Sequence, residues 1–300
     1  QHIMDKNTFN SPRAVTVAKP GMALMLLFSL FAFFLILTPI LTSLIGRLNI
    51  KADALLRIAM IIQDVLVFIL PALFAALLST RLPARLLAVD TRPRMITLLL
   101  SLVTLLCSIP AMNVIIEWNQ AITFPESMSG FEQMMRQLEN NAKAVTDSLM
   151  AGATVPSLIV SVLIVGVFAG FSEELFFRGA MQRIMMSTRL NVHVTIWVVA
   201  VIFSLFHFQF FGFMPRLLLG AYFGYLLVWS RSLWVPVLVH VFNNSLVVFS
   251  TWHSVNNPGN GVDIDDIGTD LSSASGILML LLSVALTVAC LVATRRSCKL

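Results

Sequence analysis

The stretch Phe171-Ser-Glu-Glu-Leu-Phe-Phe-Arg178 sets two adjacent carboxylates, Glu173 and Glu174, and one guanidinium, Arg178, inside an apolar run that begins near Val155. Ionisable groups at membrane depth are costly, so they need partners there and mark functional sites. On a helix Glu174 and Arg178 stand one turn apart in the favourable acid-before-base order, which suits a mutual ion pair. Glu173 lies about 100° round the same helix and is left as the spare carboxylate. The rest of the chain has to supply something for it.

The chain around this stretch has the composition of a membrane protein. Of its 300 residues 58% are hydrophobic and only 12% are charged, and the mean hydropathy is +0.88. Soluble domains carry roughly 25% charged residues. The expected fold class is an all-α polytopic membrane protein, and the modest net charge of +5 gives no reason to expect a nucleic-acid partner. The cysteines, Cys107, Cys290 and Cys298, lack metal-ligand spacing and read as small hydrophobes rather than a disulfide framework. No cleavable signal is expected, since the first long apolar run would itself direct insertion.

Eight apolar runs are long enough to cross a bilayer of about 30 Å: 22–46, 54–79, 95–116, 153–186, 192–211, 213–230, 232–250 and 274–294. Lys6, Arg13 and Lys19 precede the first, and Arg81, Arg85, Arg92 and Arg94 separate the second from the third. Arg183, Arg189, Arg231, Arg295, Arg296 and Lys299 continue the same alternation, which predicts both termini in the cytoplasm. The expected location is a bacterial inner membrane. Residues 1–21 then form a cytoplasmic tail, and 22–152 hold three spans and an external segment. Residues 153–250 form the helical core, and 251–300 an external loop, the last span and a basic tail.

Within the external segment 118–152, Phe131, Met134, Met135, Leu138, Ala142, Val145 and Leu149 recur at helical spacing, and Ser129-Gly-Phe-Glu132 reads as a capping box. An amphipathic helix on the outer leaflet or capping the bundle is expected, with a lid over the substrate as the sharper alternative. The acidic, turn-rich run Asn256–Asp270 lacks the spacing of a calcium loop and reads as solvated.

Candidate partners for Glu173 come from two later runs. Of the histidines only His207 and His240 lie within apolar spans, and Asn244 follows His240 by one turn on the same face. If the fourth and fifth spans form a hairpin turning near Arg189–Asn191, Glu173 and His207 each lie about 25 Å along their helices and come out level. His240 and Asn244 fall roughly 14 and 20 Å from a turn near Arg231, in the same broad layer. These are parts for water-mediated hydrolysis. A carboxylate shielded from bulk water can take a proton from water held against His207, and His240 with the Asn244 amide can donate to the resulting oxyanion. No side-chain nucleophile is indicated and no cofactor is expected. A zinc ion on Glu173 and the two histidines is the metal-dependent alternative, although no H-E-x-x-H pair supports it. An isolated intramembrane His or Asn is more often an interhelical hydrogen-bonding group. Asp64 has no identified partner and is assigned a packing or topological role, and Gly220-Ala-Tyr-Phe-Gly224 close helix contact.

Three motifs occur in order: Glu173-Glu-Leu-Phe-Phe-Arg178 as E-E-x-x-x-R, Phe203-Ser-Leu-Phe-His207 as F-x-x-x-H, and His240-Val-Phe-Asn-Asn244 as H-x-x-x-N. Over about 155–250 the chain thereby resembles the CAAX-protease and bacteriocin-processing family of intramembrane glutamic endopeptidases, which includes the type II CAAX prenyl endopeptidases. The resemblance implies a fold of about eight membrane helices and a site opening toward the cytoplasm. It implies that Glu173 and His207 activate water, that His240 and Asn244 form the oxyanion hole, and that Glu174, Arg178 and Phe203 support the site. The implied activity is cleavage of a peptide or protein substrate, lipid-modified or not, near the cytoplasmic face of the bilayer. A non-proteolytic scaffold or bacteriocin-immunity protein is one alternative. A proton-coupled transporter is another, for which the chain lacks internal repeats.

Overall fold

A computed structural model describes residues 17, 19–150, 152, 154–257 and 264–298. Lys6, Arg13, Lys299 and part of the acidic loop lie outside the described residues. Nine helices of more than one turn organise them: α1 (Pro20–Gly46), α2 (Ala52–Ser79), α3 (Met95–Gln120), α4 (Ser129–Met150), α5 (Val155–Met186), α6 (Val192–Leu205), α7 (Phe213–Ser230), α8 (Trp234–Asn256) and α9 (Ala274–Ser297). Among the described residues seven helices are long and apolar enough to cross a membrane. Their outward faces carry exposed Met25, Phe33, Ile36, Leu281 and similar side chains, as lipid contact requires. The protein is an all-α polytopic membrane protein.

The expected span at 192–211 is shorter than its apolar run. Helix α6 has 14 residues, about 21 Å, against the roughly 30 Å of a bilayer core. It ends because the chain tightens, with His207 N donating to Ser204 O and Phe208 N to Leu205 O, and Phe208 adopts φ 53°. The following turn, 206–212, needs partners for its backbone, because lipid offers none. Asn119 at the end of α3 donates to Phe210 O and accepts from Met214 N, while Glu139 of α4 accepts from Phe211 N.

Helix α4 is only partly the amphipathic element expected. Met135, Ala142 and Leu149 turn inward, whereas Phe131, Met134, Leu138 and Val145 stay exposed. The capping box does not form as expected. Glu132 reaches past Ser129 to accept from Phe124 N at 2.9 Å, and Arg136 binds its other oxygen. These two contacts, the backbone N–H first, hold the Glu132 carboxyl below its ordinary range.

At the opposite end of the bundle, residues 83–91 form a packed cover. Leu86, Leu87 and Ala88 are buried there. The backbone of this segment accepts hydrogen bonds from Arg183, Ser232, Leu233 and Trp234, which tie it to the ends of α5 and α8. Above it, Phe31, Phe68, Phe176, Phe177, Phe203 and Phe206 stack into an aromatic core. Helix α9 lines up antiparallel to α3 through Thr97–Ser297 and Ser283–Cys107 contacts. The three cysteines are free.

Candidate active site

Helix α5 changes its winding around the opening stretch. A short α-helical piece, Gly170–Glu174, carries both glutamates between two π-helical segments, Val162–Ala169 and Leu175–Gln182. A third π-helical segment, Asp64–Ile69 of α2, packs beside it. Such wide turns recur at functional sites because the added residue re-aims the side chains around it.

The ion pair inferred from spacing is present. Arg178 Nη1 donates to Glu174 Oε1 at 2.5 Å, and both side chains are wholly buried. Arg178 Nη2 also donates to Gly220 O at 3.1 Å, and one turn on Gln182 Nε2 donates to Gly224 O at 3.0 Å. The glycines permit this approach. A Cβ on Gly224 would come within 2.8 Å of Ile196 Cγ2, and one on Gly220 within 3.1 Å of Phe203 Cδ1. The Gly220/Gly224 face therefore packs on α6 and offers its carbonyls to α5. The Arg178 guanidinium also lies 4.5 Å from the centre of the Phe203 ring.

Glu173, His207, His240, Asn244 and Phe203 line one cavity of about 350 Å³. One backbone carbonyl and one carboxylate orient the two histidine rings. His207 Nδ1 stands 2.8 Å from Phe203 O; a carbonyl can only accept, so Nδ1 carries the proton and Nε2 keeps its lone pair. His240 Nδ1 donates to Glu174 Oε1 at 2.8 Å, which turns Nε2 toward Glu173 Oε2 at 3.9 Å. Phe223 stacks on the His240 ring with centroids 4.8 Å apart and holds its plane. The Asn244 amide donates to Val165 O at 3.2 Å and accepts from Asn243 at 3.3 Å, leaving one N–H of the amide uncommitted.

Glu174 is thus more than a neutralising partner for Arg178, since the same oxygen orients His240. Its other oxygen, Oε2, has no hydrogen-bond partner. Sequence spacing did not identify Asn243, Gln182 or the Glu139–Gln209–Arg216 set. Glu139 accepts from Gln209 Nε2 at 3.0 Å, and Gln209 Oε1 accepts from Arg216 Nη2 at 2.5 Å. The available signal for that set was an acid on one segment and a base on another, with nothing to say that they meet. Asp64, assigned a packing or topological role, is buried on the π-helical segment with Oδ2 unpartnered. Among the described residues no three His, Cys, Asp or Glu side chains are grouped as metal ligands.

The cavity is walled by residues of α3, α4, α5, α6, α7 and α8. Its walls run from Glu173 past Arg216 and Gly212 to Gln120 and Glu139, at the end of the bundle where α4 lies. That end is opposite the arginine-rich connections, where the 83–91 cover closes the bundle.

Comparison with curated proteins gave no match, and comparison with solved structures gave none either. A family model described as Rce1-like, type II CAAX prenyl endopeptidase Rce1-like, matches residues 155–246. That interval contains Glu173, Glu174, Arg178, Phe203, His207, His240 and Asn244, and over it the chain is similar to the Rce1-like, type II CAAX prenyl endopeptidase family.

Proposed function

We propose that the protein is an intramembrane endopeptidase that hydrolyses a peptide bond with an activated water. The supporting observation is the shared cavity in which Glu173 meets an imidazole, His207, whose Nδ1–H is committed to a backbone carbonyl. A water held by the His207 Nε2 lone pair presents its proton to the Glu173 carboxylate. The resulting hydroxide adds to the scissile carbonyl carbon, and the carbonyl oxygen takes the negative charge. The uncommitted Asn244 N–H can donate to that oxyanion. His240 Nε2 can do so in the doubly protonated ring, which stands between Glu173 and Glu174. Glu173 then returns its proton to the amide nitrogen as the C–N bond breaks, giving a carboxylic acid, which keeps the hydroxyl of the water, and an amine.

Arg178, Glu174 and Phe203 act through these groups. They fix the tautomer of His207 and the angles of both rings, which is the kind of support that reactive geometry needs. The test uses purified wild type, Glu173→Gln and His207→Ala in liposomes, with a library of quenched fluorescent peptides. The proposal expects cleavage by wild type and a loss of at least about 100-fold in each variant, the usual worth of a general base, with thermal unfolding retained. Equal cleavage by wild type and Glu173→Gln would overturn it.

A further inference from the structure

We infer that Arg216 anchors a carboxylate subsite in the active-site cavity, which takes a carboxylate of the bound peptide a few residues from the bond that is cut. The subsite is a binding group beyond the hydrolytic set, and its place relative to the cut bond rests on the proposed hydrolysis.

Arg216 lies on the first turn of α7 and shares the cavity wall with Glu173 and His207. A charge within a span calls for a partner, as Arg178 has in Glu174 and Arg136 in Glu132. Among the described residues no carboxylate oxygen stands in ion-pair range of Arg216. Glu139 and Glu173 act on it only from farther away. Glu139, on the same wall, spends Oε1 on Gln209 Nε2 and Oε2 on Phe211 N. Gln209 Oε1 in turn accepts from Arg216 Nη2 at 2.5 Å, which is the guanidinium's one hydrogen bond among the described residues. Its Nη1 is buried with no acceptor.

The guanidinium is nevertheless held. The Glu139–Gln209 chain fixes Nη2, and the fork lies over Gly212. A Cβ on Gly212 would overlap Arg216 Nη1 and stand 2.9 Å from Cζ, so only glycine leaves room for the fork there. A planar set of donors fixed in place, with its acceptors missing, is what a carboxylate completes through paired N–H···O bonds. A backbone carbonyl of the peptide would satisfy a donor but leave the charge uncompensated, and an uncompensated charge shielded from water is costly. The ligand chemistry is therefore a carboxylate.

The wall of the cavity sets the spacing. Arg216, Leu219 and Phe223 follow one face of α7, and Phe223 stacks on His240. Seven helical residues put about 10 Å between Arg216 and Phe223. A peptide extended along this face at about 3.3 Å per residue crosses that distance in a few residues. Its carboxylate is either an Asp or Glu side chain or the end of the chain, and the chemistry at Arg216 is the same.

The experiment uses Glu173→Gln protein in lipid nanodiscs, so that peptides bind without being cut. Random octapeptides are offered in three sets: acidic residues with an amidated C-terminus, no acidic residues with a free C-terminus, and neither. Retained peptides are counted by mass spectrometry. At least one of the first two sets should be retained about tenfold or more over the third, as a charge-assisted hydrogen bond implies, and the retained set identifies the source of the carboxylate. Adding Arg216→Gln should bring the three sets to one level. Equal retention of the three sets by Glu173→Gln, or a preference that survives Arg216→Gln, would overturn the inference. A second measurement leaves Arg216 in place. A diazirine beside the carboxylate of a retained peptide should crosslink within residues 209–219, and crosslinks confined to other segments would overturn the inference as well. Cleavage by wild type separates the two proposals. Equal cleavage of peptides with and without a carboxylate refutes the subsite and leaves the hydrolysis, whereas Arg216-dependent retention without cleavage refutes the hydrolysis and leaves the subsite.

Discussion

Replacing Glu174 by glutamine removes one charge from a pair that no water reaches. The Arg178 side chain is 0% exposed, and its remaining contacts are one backbone carbonyl and aromatic faces. Breaking a buried pair by deleting one partner costs about 3–5 kcal/mol, because the other charge stays buried. With roughly 2–4 °C of melting temperature per kcal/mol in large domains, Glu174→Gln should unfold on the order of 10 °C below wild type. The informative comparison is the double variant Glu174→Leu, Arg178→Met. It removes both charges, and apolar replacement of a buried pair is often close to neutral. It also strips His240 Nδ1 of its acceptor, which costs about 1–3 kcal/mol. The double variant should therefore melt between Glu174→Gln and wild type while losing peptide cleavage. Thermal unfolding of detergent-solubilised protein, followed by far-UV circular dichroism, reads both. The reasoning fails if Glu174→Gln melts with wild type, or if the double variant melts below the single one.

Gly224→Ala would press a methyl group against Ile196 Cγ2 and Gln182 Oε1, at 2.8 and 2.9 Å. Overpacking of this kind costs about 1–3 kcal/mol and should appear as a lowered melting temperature. Glu139→Ala removes the acceptor for Phe211 N and Gln209 Nε2. Hydrogen exchange at Phe211 should accelerate at least tenfold, and cleavage should fall because the same turn carries His207. The Glu132 carboxyl, held low by the Phe124 N–H and by Arg136, stabilises its turn above the unfolded carboxylate value of about 4.3. That contribution disappears as pH falls through the lower folded value, so Phe124 exchange protection, compared with Glu132→Gln, should drop only in strong acid. Peptide cleavage should survive chelation and exchange into metal-free buffer, since no set of three ligands is gathered among the described residues. Loss of activity restored by zinc would reverse that expectation.

Much of the site could be read from spacing because it depends on helical period and depth. Glu174 and Arg178 pair as the four-residue interval requires, and Gly220 and Gly224 mark a close helix contact. Counting residues from a turn near Arg189–Asn191 brought Glu173 and His207 to one level, and both line the same cavity. The early end of α6 was not legible, because Phe206 and Phe208 continue the apolar run and no Gly or Pro appears before Gly212. What stops that helix lies far away in the chain, in Asn119 and Glu139. Gln182 was equally hidden, since its role exists only against the Gly224 carbonyl. The 83–91 cover was hidden as well, since it is held by its backbone carbonyls accepting from Ser232 and Trp234, and apolar pattern carries no record of that.

The most direct measurement of the central claim compares the membrane proteomes of cells carrying wild type and cells carrying Glu173→Gln at equal abundance. New protein termini are labelled and identified by mass spectrometry. The account predicts a defined set of fragments that is present with wild type and absent with Glu173→Gln, with the uncut precursors accumulating in the variant. Identical fragment sets in the two membranes, with Glu173→Gln folded and inserted, would contradict it.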